Sequence, residues 1–205
     1  MAVLRQQCPW DRVQTHRSLI PYLVEETCEV VEAIEGRPGA SVSDDGGAAG
    51  QLREELGDLL LQVVFHAEIA AESPNGFDLA DVAAGISDKL IARHPHVFGA
   101  EDAPPDLNDV WERRKAKEKG RTSAVDGIPE QLSALSRASK VIARSRSHGV
   151  SLGLPVEPIA ADTVGAEIVA LVARAQANGI DAEQAVRDSV RHLERDVRSA
   201  ETAPT

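Results

Sequence analysis

The sequence predicts an all-α protein, a bundle of packed helices, and three observations carry that expectation. Aromatic residues make up only 3% of the chain, so the core must be built from Leu, Val, Ile and Ala, which favours helices packed on helices over a β-sandwich. Apolar residues recur at helical spacing, first as Leu19, Leu23, Val30 and Ile34, then as Leu52, Leu56, Leu59, Leu60 and Val63. No convincing strand pattern occurs anywhere along the 205 residues.

Cys8-Pro9-Trp10-Asp11 reads as a turn-like entry. A first helix is expected from about Thr15 to Glu35, with Pro21 near its beginning or kinking it locally. Residues Gly36–Gly50, rich in Gly, Ser and Asp, read as a flexible loop. A second helix should run from about Gln51 to Ala71, ended by Pro74-Asn75-Gly76. A third starts near Asp78 with Val82, Ile86 and Leu90 on its buried face, and stops at His94-Pro95-His96, because proline disfavours helix in the residue before it. A fourth covers roughly Leu107 to Lys119, and Gly120–Gly127 reads as a linker. Beyond Ile128 an amphipathic helix spans about Pro129 to Ser147 and ends at Gly149. A loop through Pro155 and Pro158 precedes helices near Ala160–Ala177 and Ala182–Ala200, parted by Asn178-Gly179.

Apolar residues at 42% and charged residues at 27% are ordinary for a soluble globular protein. A formal net charge of −11 argues against a general nucleic-acid binder, although a polyphosphate could enter one locally basic or metal-bearing pocket. Cys8 and Cys28 make neither a disulfide framework nor a zinc site, which suits a reducing cytoplasm. Cys28 is expected to be a buried, inert thiol. The start MAVLRQQCPWD lacks the apolar core of a signal peptide, and no run is long or apolar enough to span a membrane.

A short acidic phrase occurs twice. Residues 25–29 read E-E-x-x-E and residues 54–58 read E-E-x-x-D. On a helix, positions i, i+1 and i+4 fall on one side of the cylinder, so Glu25, Glu26 and Glu29 share one sector and Glu54, Glu55 and Asp58 another. If the two helices pack antiparallel, six carboxylates converge and repel one another unless cations neutralise them. Hard divalent cations held through oxygen do this best, Mg²⁺ first among them. A single such phrase would read as a solvated helix face; here both copies are flanked by apolar residues and Arg53 is the only adjacent base. Lys89 and Arg93, four apart on the third helix, read either as cations gripping phosphate oxygens or as the ordinary basic end of a helix. Trp111 and Lys115 repeat the spacing on the fourth helix, either at a ligand or as a core indole with a solvated lysine. His94 and His96 read as structural or substrate-facing, since no third soft ligand lies nearby. No P-loop, no H-E-x-x-H and no E-x-x-H pair is present, which sets aside P-loop, zincin and di-iron chemistry.

Glu26 and Glu29 in E-x-x-E, then Glu55 and Asp58 in E-x-x-D, together with CPWD at 8–11, LREELGDLLLQVVFHA at 52–67 and SDKLIARHPHVFG at 87–99, resemble the MazG-type nucleoside triphosphate pyrophosphohydrolases of the all-α NTP pyrophosphatase superfamily. The resemblance covers about residues 8–120 and implies a helical bundle of that type, dimerising through helices. It implies Glu26, Glu29, Glu55 and Asp58 as Mg²⁺ ligands, with Mn²⁺ as a substitute, and Glu25 and Glu54 as supporting groups that help hold further metal and the attacking water. The reaction implied is NTP + H₂O → NMP + PPi, in which the cation neutralises the leaving pyrophosphate and a carboxylate takes the proton of water. By the same resemblance Lys89 and Arg93 meet phosphate, Trp111 lies near the base and Lys115 near phosphate. The role implied is clearing aberrant nucleoside triphosphates, in a homo-oligomer with no membrane and no direct nucleic-acid contact. Rival expectations are a narrower substrate within the superfamily, such as dUTP or phosphoribosyl-ATP, and a non-catalytic nucleotide- or metal-binding module.

The expected division is a catalytic domain at 1–120, a linker at 121–127 and a second, degenerate copy at 128–205. Where the second copy should read E-x-x-D it offers Thr163-Val164-Gly165-Ala166, and Gly149–Pro158 is too short and proline-rich to supply the preceding helix. That half should bind no metal. The long Gly36–Gly50 insertion between ligand helices should be tolerated, because loop-closure entropy grows slowly with length.

Overall fold

The structure, a computed structural model, describes residues 1–36, 46–104 and 106–202. Among the described residues there is no strand, in agreement with the all-α expectation. The chain divides into two compact units, Met1–Ala92 and Arg93–Thr205. No helix among the described residues is long and apolar enough to cross a membrane.

The first unit is built on two long helices that pack together, α2 (Ile20–Glu35) and α3 (Gly46–Ala71). Pro21 sits in the first turn of α2, where its missing N–H costs no hydrogen bond, so it starts the helix and does not kink it. Residues 15–18 form a reciprocal turn instead of helix: Ser18 Oγ accepts from the Thr15 N–H at 2.9 Å and Thr15 Oγ1 from the Ser18 N–H at 3.2 Å. The second helix begins at Gly46, five residues before the expected Gln51, so the anticipated loop shortens; its stretch at 37–45 lies outside the described residues.

A helix the sequence reading passed over, α1 (Ala2–Gln7), caps this pair together with a 3-10 turn at Asp11–Val13. Arg5 ties it down, donating to both carboxylate oxygens of Glu72 at 2.6 Å and to the carbonyls of Asp11 and Gln14. Its guanidinium lies 5.9 Å over the buried Phe65 ring. Trp10 of the CPWD turn stands edge-on to both Tyr22 and Phe65.

Helix α4 (Leu79–Arg93) opens with a reciprocal cap in which Asp78 and Asp81 each accept from the other's N–H at 3.0 Å. The expected buried face of α4 is only partly realised. Val82 is half-buried, but Ile86 is 48% and Leu90 43% exposed. Cys28 is exposed as well, against expectation, because it lies with Val24 and Val31 on a stripe of α2 that the single chain leaves uncovered.

In the second unit α5 (Pro95–Phe98) is a single turn started by Pro95, and α6 (Leu107–Glu118) follows. Helix α7 (Ala134–Ser147) starts later than Pro129 because Ser133 caps it, accepting from the Ser136 N–H. It packs mainly on α9 (Ala182–Thr202), which also touches α8 (Ala161–Ala177). Gly149 and Gly179 end α7 and α8 with positive φ of 73° and 69°, a conformation that suits glycine. The core is Ala124, Val125, Ile128, Val141, Val190 and Val197, so Ser123, Ala124 and Val125, in the stretch read as a linker, are buried in this unit. On α9 the apolar stripe is Val186, Val190, Leu193 and Val197, and Arg137 grips Glu194 beside it with two hydrogen bonds.

Asp126 fastens the buried turn. It accepts from the N–H groups of Thr122 and Ser123, from the Thr122 hydroxyl and from Arg198. Burial pushes its carboxyl up, but the Ser123 N–H, Arg198 and Thr122 outweigh this and bring it down to about 2. A depressed carboxylate contributes stability above its unfolded value and loses it as pH falls through the folded one. Asp126→Asn is therefore expected to lower unfolding free energy at neutral pH by roughly 1–2 kcal/mol, after allowance for solvent screening. Chemical denaturation of both forms should show that difference closing as the pH approaches the folded value.

Candidate metal centre

Helices α2 and α3 run antiparallel: His16, just before α2, meets His66 near the end of α3, while Glu26 and Glu29 face Glu55 further along. This packing turns sequence spacing into a site. Glu26 and Glu29 are one turn apart on α2, and Glu55 comes from α3. One oxygen from each lies within 4.8 Å of the other two. Of the six carboxylates anticipated, these three share one cluster. Asp58, the next turn along α3, is not among the three but is close enough for its charge to act on both Glu26 and Glu55. Glu25 and Glu54 are exposed neighbours in sequence whose charges act on Glu26 and Glu55 respectively.

The electrostatics match a site built for a cation. Loss of solvation, followed by the charges of Asp58 and Glu29 and a hydrogen bond with Glu29, holds the Glu26 carboxyl above its ordinary value. Glu55 is raised by loss of solvation and then by Glu29, Glu54 and Asp58, with a hydrogen bond to Gln51 working the other way. The donors are all carboxylate oxygens at helical spacing on two braced rods. They fit a hard divalent cation such as Mg²⁺ or Mn²⁺ and do not distinguish the two.

The other anticipated residues lie on α4 and α6. Lys89 is half-buried on α4. Arg93 is buried and engaged: its Nε and Nη2 donate to one oxygen of Glu118 at 2.8 and 2.6 Å, and its guanidinium lies 5.2 Å over the Trp111 ring. His94 packs against the same indole at 4.8 Å between ring centres. A cavity of about 210 Å³ opens here, lined by Arg93, His94, His96, Trp111 and Arg114 among others. Lys115 reaches Glu112 at 3.5 Å, and that carboxylate also faces Arg121 and Arg144 at 3.6 and 3.7 Å. Arg93 and Trp111 are thus brought together, whereas Lys115 joins a separate charge cluster. Sequence reading missed Arg121, Arg144 and the His16–His66 pair, because single bases and histidines at long separation carry no local periodicity.

Residues 14–98 match the MazG nucleotide pyrophosphohydrolase domain. An uncharacterised 26.1 kDa protein of Streptomyces cacaoi is 42% identical over 97% of this chain and 78% of its own length. The nucleoside triphosphate pyrophosphohydrolase of Escherichia coli K12 is 45% identical over 69% of this chain and 52% of its own length. That of Mycobacterium tuberculosis is 38% identical over 99% and 56% respectively. The chain therefore spans about half the length of these two named relatives. No solved structure matches it. The matched segment contains both acidic phrases and the helix pair that presents them, and the similarity continues through the second unit: the chain belongs to the MazG nucleotide pyrophosphohydrolase family.

Proposed function

We propose that this chain is a Mg²⁺-dependent nucleoside triphosphate pyrophosphohydrolase, converting NTP and water to NMP and pyrophosphate and so clearing aberrant nucleotides. The observation that carries the reading is the convergence of Glu26, Glu29 and Glu55 within 4.8 Å, on the helix pair inside the family match. The names of the relatives support the reaction class. Glu26, Glu29, Glu55 and Asp58 would hold the cation, which when bound acidifies water and neutralises phosphate charge. Glu25 and Glu54, which adjoin the cluster in sequence and are open to solvent, would accept the proton of the attacking water. Lys89, Arg93, Trp111 and Lys115 serve the substrate; the basic lining of the cavity beside Trp111 supports this for Arg93 and Trp111.

The functional form is a cytoplasmic homo-oligomer, at least a dimer. Leu60 on α3 is 58% exposed in the single chain, and Val24, Val31, Ile86 and Ile91 leave further apolar surface on α2 and α4. Such surface calls for association. Helices α7 to α9, without a paired acidic phrase, act as the degenerate second copy from 128 onward and hold no metal.

The direct test is product analysis with a panel of NTPs and dNTPs and Mg²⁺, resolving pyrophosphate from orthophosphate. Pyrophosphate and NMP in equal amounts are expected. Orthophosphate with NDP would overturn the cleavage position, and no turnover of any substrate would leave a binding module.

A further inference from the structure

The α2–α3 pair is closed at one end by two histidines. His16 Nδ1 and His66 Nδ1 lie 2.8 Å apart, with ring planes 7° from parallel and centroids 5.1 Å apart. The centroid separation is the nitrogen separation plus one ring radius at each end. The rings therefore meet edge to edge in a common plane, not face to face, and each Nδ1 points at the other. A metal ion on that line would need the nitrogens about 4 Å apart, so the pair is built for a proton.

A neutral imidazole has one donor and one acceptor nitrogen. The bond thus requires opposite tautomers, Nδ1–H on one ring and a bare Nδ1 on the other. A first added proton goes to the outer Nε2 of the donor ring and leaves a charge-assisted bond. A second puts N–H on both facing nitrogens and breaks it. Burial, then the charge of His16, holds His66 below the ordinary histidine value, so this rupture is displaced toward acid. Among the charged groups at this end of α3, Arg5 lies over Phe65 and is already bonded to Glu72 and to the Asp11 and Gln14 carbonyls, with the charge of Glu68 also acting on it; Arg17 adjoins His16 in sequence.

His66 lies eleven residues after Glu55, just over three turns or about 16 Å along α3, so both residues face the same side of that helix. The tie to His16 therefore acts on the face that meets α2, where Glu26 and Glu29 stand. We propose that His16 and His66 are positioning residues: one shared Nδ1 proton fastens the entry of α2 to α3 and sets the spacing at which Glu26 and Glu29 face Glu55. The inference rests on reading those carboxylates as the metal site.

Imidazole ¹⁵N NMR on the full chain tests the shared proton. Opposite tautomers and a slowly exchanging proton are expected, lost together at one acid midpoint. Both rings in the same tautomer, titrating independently, would overturn the proposal whether or not metal binds. Mn²⁺ titration followed by EPR tests the positioning role. His66→Leu is expected to weaken binding about tenfold or more, whereas His66→Gln, which keeps a neutral hydrogen bond, restores affinity at neutral pH and removes only the step at the histidine midpoint, leaving the loss caused by protonation of the carboxylates. Native affinity in His66→Leu would sink the positioning role. A wild-type chain that binds no Mn²⁺ would instead sink the metal reading; the role would then be judged by hydrogen exchange around Glu26 and Glu29, where unchanged protection in His66→Leu counts against it.

Discussion

Glu29→Ala is expected to abolish Mg²⁺-dependent pyrophosphate release, by at least about 10²-fold, with far-UV helicity intact. Glu29 is exposed on α2, so its loss opens no cavity, and alanine is the best helix former available. What is lost is one of the three oxygens that converge within 4.8 Å. Two remaining carboxylates from different helices grip a hard cation far more weakly than three or four. Asp58→Ala should act in the same direction. Asp58 lies outside the tight cluster, but its charge already raises both Glu26 and Glu55, which places it where a cation's further coordination would draw it in. The decisive measurement is single-turnover pyrophosphate release at saturating Mg²⁺, beside circular dichroism of the same samples. Wild-type rates in both variants would refute the site assignment. Loss of activity with loss of helicity would show a folding defect instead, and Glu29→Gln, which keeps shape and removes only the charge, separates the two cases.

The acidic phrases were legible because their information is local. Helical spacing fixes which side Glu26 and Glu29 occupy; antiparallel packing of the two helices entered only as a condition, and it is met where His16 reaches His66 and Glu26 and Glu29 face Glu55. The same locality explains what was not legible. Arg5 meets Glu72 and His16 meets His66 across 67 and 50 residues, and nothing in either neighbourhood announces its partner. Helix α1 was hidden because six residues are too few to show an apolar period. Ile86 and Leu90 have the period of a buried face, yet periodicity records only that a face is apolar and not whether the same chain covers it. Residues 121–127 carry the Gly and Ser of a linker, but Ala124 and Val125 in their midst are among the most buried side chains. Composition could not reveal this, since it is Asp126 that folds the turn inward by collecting two N–H groups.

The second large effect is on stability, and it has opposite signs with and without metal. Glu26 and Glu55 are raised above their ordinary values, so between the unfolded and folded values the native state binds more protons than the unfolded one. Stability of the metal-free chain therefore falls as pH rises through that window and stays reduced at neutral pH. A divalent cation removes this penalty by occupying the space that protons would otherwise fill. Addition of Mg²⁺ to chelator-treated protein is expected to raise the melting temperature at neutral pH, by the equivalent of about 2.7 kcal/mol when the ion is at a hundredfold excess over its dissociation constant. The rise should shrink as pH falls through the carboxylate range, because protons and cation compete for the same oxygens. Glu26→Gln reverses the pattern. With one negative charge gone, the metal-free variant should melt above the metal-free wild type at neutral pH, yet gain little from Mg²⁺. Calorimetry on the four states, wild type and variant with and without Mg²⁺, forms a closed cycle whose coupling term measures how much of the cation's effect passes through Glu26. Equal Mg²⁺ stabilisation of both proteins would mean that the ion binds elsewhere. A destabilised metal-free variant would mean that the carboxylates are held by contacts stronger than their mutual repulsion.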